Sequence, residues 1–308
     1  MRVLVTGAGG FVGGWLTAEL QAAGHEIVTP REHLDVTDAA AVLRAVTSTN
    51  PQAVAHLAAV ASAPQAATDP LRTFEVAVRG TINVLEAVRA MDEPAAILVS
   101  GSSEVYGAPS PDALPVQESQ ALAPATPYAL SKAAQEGVAV AGAASFSLKV
   151  IVTRSFSHTG PGQRTAFVVP AIAKRVLTLA DGNAEDIPVG NVDVRRDFSD
   201  VRDVARAYRL LMEAAVDSQL GGGGLIVNVC SGRSISIRWI AEELCRLAGV
   251  EPRLRVDPAL VRRVDQLEVR GDPSQISTLV GWQATTPMKQ TLADVWAATA
   301  GSVRVPAA

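Results

Sequence analysis

Hydrophobic and polar positions in the first half of the chain follow two alternating periods. Short apolar runs are typical of strands buried on both faces of a sheet, whereas apolar residues spaced three and four positions apart indicate amphipathic helices. The first such helix presents Phe11, Val12, Trp15, Leu16 and Leu20 on one side and lies between two strand-like runs. Strands that alternate with helices are joined by right-handed crossovers, so the pattern predicts a parallel sheet covered on both faces.

Capping residues mark where several of these elements begin and end. Asp69 followed by Pro70 is a typical helix start, an N-cap and then proline at the first helical position, and Gly24 is typical of the residue after a helix end. With the apolar runs, these signals predict strands over 3–6, 26–29, 53–58, 97–100 and 150–153 and helices over 70–90 and 127–142.

The order of elements is less regular beyond Arg154. Loops rich in glycine and proline (HTGPGQ, GNVDVRRDF) interrupt the pattern, and the glycines from Gly221 to Gly224 predict a flexible connection. Further helices are predicted over 167–180, 201–215 and 237–248.

We therefore predict an α/β fold, a Rossmann-type doubly wound parallel sheet with a smaller C-terminal substrate-binding lobe. Residues 1–160 would form the NAD(P)-binding domain, with its sheet completed by parts of 191–230. Residues 161–308 would form mainly the substrate-binding lobe.

Composition excludes several classes of protein. A chain with 48% hydrophobic and 19% charged residues is globular, and its net charge of −4 gives no support to a nucleic-acid or anionic-membrane partner. Cys230 and Cys245 are too few for a disulfide framework and lack metal-ligand spacing, so no metal site is predicted. Since no apolar run approaches the roughly 20 residues of a membrane helix and the first residues read as strand and turn, we expect a soluble cytoplasmic protein.

A glycine motif follows the first predicted strand. Gly7, Gly10 and Gly13 are spaced G-x-x-G-x-x-G and stand at the head of the first helix. Glycines let the backbone turn tightly and approach a pyrophosphate, whose charge interacts favourably with the helix N-terminus. Because strand, glycines and helix come in the required order, the motif predicts a dinucleotide site rather than an ordinary turn.

Residues after the second strand bear on the choice of dinucleotide. An acidic residue there would bind the ribose hydroxyls of NAD, but the expected position is occupied by Arg31. A guanidinium suits a ribose phosphate, so NADP(H) is the preferred coenzyme, with NAD(H) as the alternative if Arg31 is only a solvated loop residue. Asp35 would either accept a hydrogen bond from the adenine amine or cap the helix that follows it.

A tyrosine and a lysine lie one helical turn apart near a predicted helix start. Tyr128 and Lys132 are at positions i and i+4 after Thr126-Pro127, so the phenol and the ammonium project from one face. A nearby ammonium, with the positive nicotinamide of an oxidised coenzyme, favours the phenolate and makes Tyr128 a competent acid or base. The Y-x-x-x-K pattern alone is common on exposed helices.

A serine at the carboxyl edge of the predicted sheet strengthens this assignment. Ser102 follows the strand 97–100 in the segment SGSSEVYG, and ligands bind at that edge of an open parallel sheet. Ser102 would donate a hydrogen bond to the substrate oxygen that Tyr128 protonates. Without Tyr128 and Lys132, the serines would be turn formers.

Five segments carry a resemblance to a known family. VTGAGGFVG, HLAA, SSEVYG, TPYALSKAAQE and RSFSHTGPGQ resemble the extended short-chain dehydrogenases/reductases that modify nucleotide sugars, in the expected order and over nearly the whole chain. The resemblance implies that Ser102, Tyr128 and Lys132 form the catalytic triad. It also implies which residues bind the coenzyme. These are Gly7, Gly10, Phe11, Val12, Gly13, Arg31, Asp35, Val36, Leu57, Ala58, Ala59, Tyr128 and Lys132.

The second half resembles a particular branch of that family. The segments VGNVDVRRDFSDVRDVARAY and DPALVRRVDQLEVRGDPSQI are similar to the enzymes that handle GDP-mannose derivatives, either as dehydratases or as reductases of the 4-keto-6-deoxy sugar. Since arginine binds phosphate oxygens bidentately, we expect Arg196 or Arg262 to contact the ligand. The substrate contacts implied by the resemblance are Ser103, Ser157, His158, Lys174, Asn191, Arg196 and Arg262.

Reductase and dehydratase share most of these residues. Glu104 matches the catalytic glutamate of the dehydratase, although similar reductases keep a Ser-Glu pair there. The short chain and the loops HTGPGQ and NVCSG favour the reductase, whose product would be GDP-D-rhamnose. The alternatives are GDP-mannose 4,6-dehydratase, another nucleotide-sugar epimerase and, last, a non-catalytic dinucleotide-binding regulator.

Three positions depart from the family pattern. Ser155 and Ser157 stand where relatives usually have proline and asparagine, and Ala77 stands where a helix asparagine is usual. Ser157 in particular would alter how the diphosphate or the sugar is held.

The resemblance also implies a homodimer built through a four-helix bundle. Helices 70–90 and 127–142 are the pair that relatives pack against a partner's pair. Burial against the sheet explains the same helical spacing of apolar residues equally well. The spaced residues of the first helix are Phe74, Val78, Ile82, Leu85 and Val88.

Overall fold

The computed structural model describes residues 1–28, 34–61, 63–220, 223–261 and 266–301. Arg31 and Arg262, two of the predicted binding residues, lie outside the described residues. Within the described part of the chain, no helix combines the length and the apolar character that crossing a membrane requires.

Strands and helices alternate through most of the chain. The strands are β1 Arg2–Thr6, β2 Glu26–Val28, β3 Ala53–His56, β4 Ala96–Ser100, β5 Lys149–Ser155, β6 Ser157–Thr159, β7 Ile187–Val189, β8 Arg195–Asp200, β9 Gly223–Val229, β10 Ser234–Ser236, β11 Leu254–Val256 and β12 Glu268–Val269. The helices are α1 Phe11–Ala22, α2 Ala39–Thr49, α3 Ala63–Thr68, α4 Pro70–Phe74, α5 Gly80–Arg89, α6 Pro127–Phe146, α7 Val168–Ala180, α8 Val201–Val216, α9 Ile237–Ala248, α10 Ser274–Val280 and α11 Met288–Thr299.

The main sheet is parallel and has the strand order β2-β1-β3-β4-β5-β9. Successive side chains of a strand point to opposite faces. Accordingly, Val3 and Val5 pack under α1 and α8, and Leu4 packs under α2 and α5. The predicted doubly wound sheet is therefore confirmed. The direction in which successive strands are added to the sheet reverses between β1 and β3, and a ligand crevice is expected at this switch point.

The glycines before β9 correct one prediction. Gly223 and Gly224 form the first part of a strand paired with β5 and are not part of a flexible connection. A Cβ atom at Gly224 would lie 2.9 Å from the Cα of Val140, so glycine lets α6 pack closely against this edge of the sheet. Glycine is therefore required at position 224 for space and not for flexibility, while Gly221 and Gly222 lie outside the described residues.

The predicted helix 70–90 is confirmed at its start and differs in its middle. Asp69 accepts a hydrogen bond from the backbone N–H of Arg72, and Pro70 is the first helical residue. Between α4 and α5, residues Glu75–Arg79 form a π-helical segment. Single π turns inside helices often lie at functional sites.

A smaller group of elements covers the carboxyl side of the main sheet. Strands β8, β10, β12 and β6 form one small sheet, and β7 pairs with β11. Helices α7, α9 and α11 pack together over them around their own apolar core, which includes Ile172, Val176, Ile240 and Leu244. The fold therefore consists of a six-stranded parallel sheet and a smaller C-terminal sheet region.

Candidate active site

The glycine loop between β1 and α1 lies beside the loop that follows β3. Gly7 has a φ of +75°, and a Cβ atom on it would lie 2.8 Å from the backbone nitrogen of Ala58. A Cβ atom on Gly13 would lie 2.2 Å from the carbonyl oxygen of Gly7, so the first turn of the helix also requires glycine. The two loops therefore meet at the switch point of the sheet, where the dinucleotide was predicted.

The N-terminus of α1 fits an anionic group. Its N-cap, Gly10, makes no side-chain capping bond, and the first turn of this described helix carries no acidic residue. The free N–H groups of a helix start attract a phosphate. The aromatic ring of Phe11, the first helical residue, stacks on the ring of His158 with centroids 6.3 Å apart, so a predicted coenzyme contact and a predicted substrate contact are neighbours.

Asp35 is fixed beyond the end of β2. Its carboxylate accepts hydrogen bonds from the backbone N–H and the hydroxyl of Thr37 and forms an ion pair with Arg72 at 3.2 Å. The backbone N–H of Thr37 is the main cause that lowers the pKa of Asp35. The cap of α2 is Asp38 and not Asp35, so the capping role is wrong and the adenine contact stays a prediction.

The other residues predicted to line the coenzyme are placed along the same edge. The backbone nitrogen of Leu57 donates to the carbonyl of Thr6, and that of Ala58 donates to the Thr6 hydroxyl at 3.3 Å. Val36 is buried with its side chain under Gly80, where a Cβ atom would lie 2.7 Å from it. Val12 and Ala59 are half-buried beside these loops.

Helix α6 carries the predicted tyrosine and lysine as expected. The hydroxyl of Thr126 caps the helix by accepting from the backbone N–H of Ala129, with Pro127 as the first helical residue. The Nζ atom of Lys132 donates to the carbonyl oxygen of Ser100 at 2.7 Å and to Gln135 Oε1 at 2.9 Å. Burial lowers the pKa of the Lys132 ammonium to about 8.

Tyr128 lies within electrostatic range of Ser102 and Glu104. Burial raises the pKa of the Tyr128 phenol above its usual value, the carboxylate of Glu104 raises it further, and hydrogen bonding with Ser102 opposes both. The direction is opposite to that predicted from the neighbouring ammonium, because burial has the largest effect. A phenol protonated at neutral pH is a proton donor, which suits a reduction.

Ser102 and Glu104 come from the turn after β4. The hydroxyl of Ser102 accepts from the backbone N–H of Glu104 at 3.2 Å and caps the short 3₁₀ turn Ser103–Tyr106. Ser102 is buried, Ser103 is half-buried and Glu104 is exposed. The structure therefore brings the four predicted catalytic residues to one edge of the sheet, from the turn after β4 and from the start of α6.

Two further residues of this region escaped the sequence interpretation. His56 ends β3, its Nδ1 atom lies 2.8 Å from the Thr6 hydroxyl, and its buried Nε2 atom has no hydrogen-bond partner among the described residues. Burial and the charge of Lys132 lower the pKa of His56 to about 3, so the ring is neutral. The motif HLAA contains this histidine, although only the three residues after it were predicted to bind the coenzyme. This motif was the sequence signal from which His56 could have been found.

The second is Tyr208, a buried residue of α8. Its hydroxyl lies 2.7 Å from the Ser155 hydroxyl and 3.5 Å from the Ser100 hydroxyl. Its phenol is near enough to Tyr128 to contribute to the raised pKa of that residue. Ser155 supplies the hydroxyl that lies against Tyr208, and the local sequence around either residue does not show this contact.

The residues predicted for the substrate lie on several elements. Ser157 belongs to β6, where it pairs with Phe198 of β8. Nδ1 of His158 donates to the carbonyl of Phe156 at 3.0 Å, and burial lowers the pKa of His158.

The remaining substrate residues belong to the smaller C-terminal region. Arg196 donates to the carbonyl oxygens of Arg195 and Gln266, which ties β8 to the residues before β12. Asn191 accepts from the backbone N–H of Asp193, and Lys174 is exposed on α7. Among the described residues, no group of His, Cys, Asp or Glu is arranged to hold a metal ion.

Nearly the whole chain matches known proteins in sequence. Residues 30–295 match the sequence model of the family described as GDP-mannose 4,6 dehydratase. A GDP-6-deoxy-D-mannose reductase of Pseudomonas aeruginosa is 37% identical over 297 residues, which cover 94% of this chain and 94% of the relative.

Solved structures give the same result at the level of the fold. The structure of RMD from Pseudomonas aeruginosa complexed with NADPH has a TM-score of 0.90 and 34% identity, and the alignment covers 98% of this chain and 99% of that one. A UDP-glucose 4-epimerase of Thermus thermophilus in complex with NAD has a TM-score of 0.84 and 28% identity, with 98% and 100% covered.

Proposed function

Because the chain belongs to the GDP-mannose 4,6 dehydratase family and is an NAD(P)-dependent short-chain dehydrogenase/reductase of nucleotide sugars, we propose that it reduces the C4 keto group of a GDP-4-keto-6-deoxy-hexose. The product is GDP-D-rhamnose, also named GDP-6-deoxy-D-mannose. In this proposal residues 1–160 bind the coenzyme, with the sheet completed from 191–230, and 161–308 mainly bind the sugar nucleotide.

The observation that carries the proposal is that Ser102, Tyr128 and Lys132 lie together at one edge of the sheet, where the Tyr128 phenol is hydrogen-bonded with Ser102 and the Lys132 ammonium is held by the carbonyl of Ser100. When bound, the reduced nicotinamide supplies the hydride. Tyr128 holds a proton at its phenolic oxygen and donates it to the oxygen of the reduced carbonyl, while the Ser102 hydroxyl orients that oxygen. Donors fixed in place before the reaction stabilise the developing negative charge most effectively.

The residues present fit a dinucleotide coenzyme. The uncapped start of α1 and the tight turn that Gly7 and Gly13 allow suit the pyrophosphate, and Lys132 has one N–H left for a ribose hydroxyl after its two hydrogen bonds. NADP(H) is the proposed preference, which rests on Arg31 and on the NADPH in the Pseudomonas aeruginosa structure. NAD(H) is the alternative.

Nicotinamide absorbance provides the test. Purified protein mixed with NADPH and GDP-4-keto-6-deoxy-D-mannose is expected to oxidise one NADPH for each sugar reduced. NADH should give a lower kcat/KM, and Arg31→Ala should lower kcat/KM for NADPH far more than for NADH. Oxidation of neither coenzyme with the keto sugar would refute the reductase proposal.

A second candidate function is supported by Glu104. Its carboxylate is near enough to Tyr128 to raise the pKa of that phenol, and a dehydratase needs a base near its tyrosine to remove a sugar-ring proton. In that case GDP-mannose would be converted to a keto product without added reductant, and Glu104→Gln would impair turnover as strongly as Tyr128→Phe. For the reductase, Glu104→Gln leaves most of the NADPH oxidation intact.

We propose further that two copies associate through α5 and α6. A groove between these helices is lined mainly by apolar residues, including Ile82, Val138 and Phe146, and the Ile82 side chain is 42% exposed. Leu85, also predicted for this face, lies at the bottom of the groove beside Gly142 of α6, whereas Val88 is buried in the core. The same groove of a second copy would complete a four-helix bundle.

Light scattering after gel filtration is expected to give the mass of a dimer for the native protein and of a monomer for Ile82→Arg. Leu43→Arg is the control, because Leu43 is equally exposed at 42% but lies on α2. A native protein that elutes as a monomer, or equal behaviour of the two variants, would contradict this interface.

A further inference from the structure

The buried ammonium of Lys132 is the first member of a chain of hydrogen bonds that leads away from the reacting groups. Gln135 accepts from Nζ through Oε1, and its Nε2 donates to the hydroxyl of Thr81 at 3.0 Å. Thr81 in turn donates to the carbonyl oxygen of Ala77 at 2.6 Å. The side chains of Lys132, Gln135 and Thr81 are all excluded from solvent.

The chain of donors has one direction. A carbonyl oxygen can only accept, so the Thr81 proton is committed to Ala77 and the Thr81 oxygen is left to accept. It therefore receives an N–H of Gln135, and this fixes the amide so that its oxygen faces Lys132. An apolar residue at position 81 would leave the Gln135 N–H without this acceptor, so that only Lys132 itself would orient the amide.

These hydrogen bonds join Lys132 to two separate parts of the fold. One hydrogen bond of Nζ goes to Ser100 at the end of β4, and the other leads through Gln135 to the helix α5 and the π-helical segment before it. At that segment the backbone N–H of Gly80 bonds to the carbonyl of Glu75, five residues earlier. The position of Nζ is thus determined from a strand and from a neighbouring helix.

The two hydrogen-bond acceptors of the Lys132 ammonium are both uncharged. A buried ammonium is costly unless its N–H groups are hydrogen-bonded, and the Ser100 carbonyl and the Gln135 amide satisfy two of its three donors. Loss of the Gln135 amide leaves a long, unbranched side chain with one fixed contact. Such a side chain can adopt other rotamers, which would move Nζ away from the coenzyme.

We propose that Gln135 and Thr81 are positioning residues for the reaction: they hold Nζ of Lys132 so that its third N–H faces the coenzyme, which rests on the function proposed above. Neither residue contacts the reacting atoms in this proposal. Their effect is exerted through Lys132, and therefore first on the affinity for coenzyme and on kcat.

The test compares Thr81→Val and Gln135→Met with Thr73→Val. Thr73 is a matched control, since it is also buried and also donates to the carbonyl oxygen four residues earlier, but it makes no hydrogen bond to Gln135. For Thr81→Val and Gln135→Met we expect kcat/KM for NADPH to fall about 10–100-fold, the loss typical of a catalytic group displaced by about an ångström. KM for the keto sugar should change little, and Thr81→Ser should restore most of the activity.

Three results would overturn the proposal. The first is a loss in Thr81→Val no larger than in Thr73→Val, and the second is a Thr81→Ser variant as impaired as Thr81→Val. The third is an effect confined to KM for the sugar. Tm measured for each variant identifies a general loss of folding, and if Gln135→Met fails to fold, the pair Thr81→Val and Thr81→Ser still decides.

Coenzyme affinity separates this proposal from the function on which it rests. The Kd for NADPH, measured by the fluorescence of the bound nicotinamide, requires no sugar substrate. If the native protein binds NADPH but reduces no keto sugar, the reductase proposal fails. A weaker Kd in Thr81→Val, restored in Thr81→Ser, would then still support the positioning of Lys132, and an unchanged Kd would refute it.

Discussion

Replacement of Tyr128 by phenylalanine is expected to lower kcat by about 10²–10⁴-fold, the usual contribution of a general acid. The variant keeps the ring and removes only the oxygen whose proton the reduced carbonyl needs. A phenol is protonated throughout the neutral pH range at its ordinary pKa of about 10, and burial raises the pKa of Tyr128 further, so the loss should appear as a lower rate across that whole range. Absorbance of NADPH with the keto sugar measures the rate, and nicotinamide fluorescence should show coenzyme affinity largely unchanged.

Tyr106→Phe provides the matched control for this experiment. The Tyr106 hydroxyl is buried and donates to Asn228 while it accepts from Arg154, so its removal should reduce stability but leave turnover of the folded enzyme. Near-normal turnover of Tyr128→Phe would contradict the role assigned to Tyr128. An equal loss in both variants would mean that the effect is structural and not chemical.

Features specified by adjacent residues could be predicted from the sequence. Asp69-Pro70 and Thr126-Pro127 begin helices as expected, because the cap and the proline act within one helical turn. The glycine spacing at 7, 10 and 13 likewise describes a single strand–turn–helix unit. The sheet edge that collects Ser102, Tyr128 and Lys132 follows from the alternation of strands and helices.

Features that depend on partners distant in the chain could not be predicted. The glycines from Gly221 to Gly224 were predicted to form a flexible connection, because the close approach of Val140 to Gly224 is not visible in the local sequence. Tyr208 looks like any apolar position of an amphipathic helix until the fold places its hydroxyl beside Ser155. The sign of the pKa shift at Tyr128 was missed for the same reason, since burial is a property of the whole site.

The absence of the usual asparagine at Ala77 is an instructive intermediate case. The departure is visible in the sequence, but its consequence is not. In the structure the Thr81 hydroxyl donates a hydrogen bond to the backbone oxygen of Ala77. The same hydroxyl accepts a hydrogen bond from the amide of Gln135, which lies on α6. The contact with Gln135 cannot be read from the local sequence, because it depends on the packing of α5 against α6.

Removal of the Arg154 guanidinium is expected to cause the largest loss of stability among the substitutions considered. Nε and Nη2 of Arg154 donate to the two carboxylate oxygens of Glu136 at 2.8 and 2.6 Å, and both side chains are buried. Burial alone would lower the pKa of Arg154, but the hydrogen bonds to Glu136 and Tyr106 raise it above its usual value. Arg154→Met should lower the free energy of unfolding by about 3–5 kcal/mol, because it leaves the Glu136 carboxylate buried without a partner.

Urea unfolding of single and double variants shows whether the lost stability comes from the unpaired Glu136 carboxylate or from the lost attraction between Arg154 and Glu136. The double variant Arg154→Met/Glu136→Leu should be more stable than Arg154→Met, since it removes the uncompensated charge as well. Arg255→Met is the control, because the Arg255–Asp186 pair is as short, at 2.6 Å, but exposed, and its loss should be much smaller. Equal effects of Arg154→Met and Arg255→Met would contradict the role of burial.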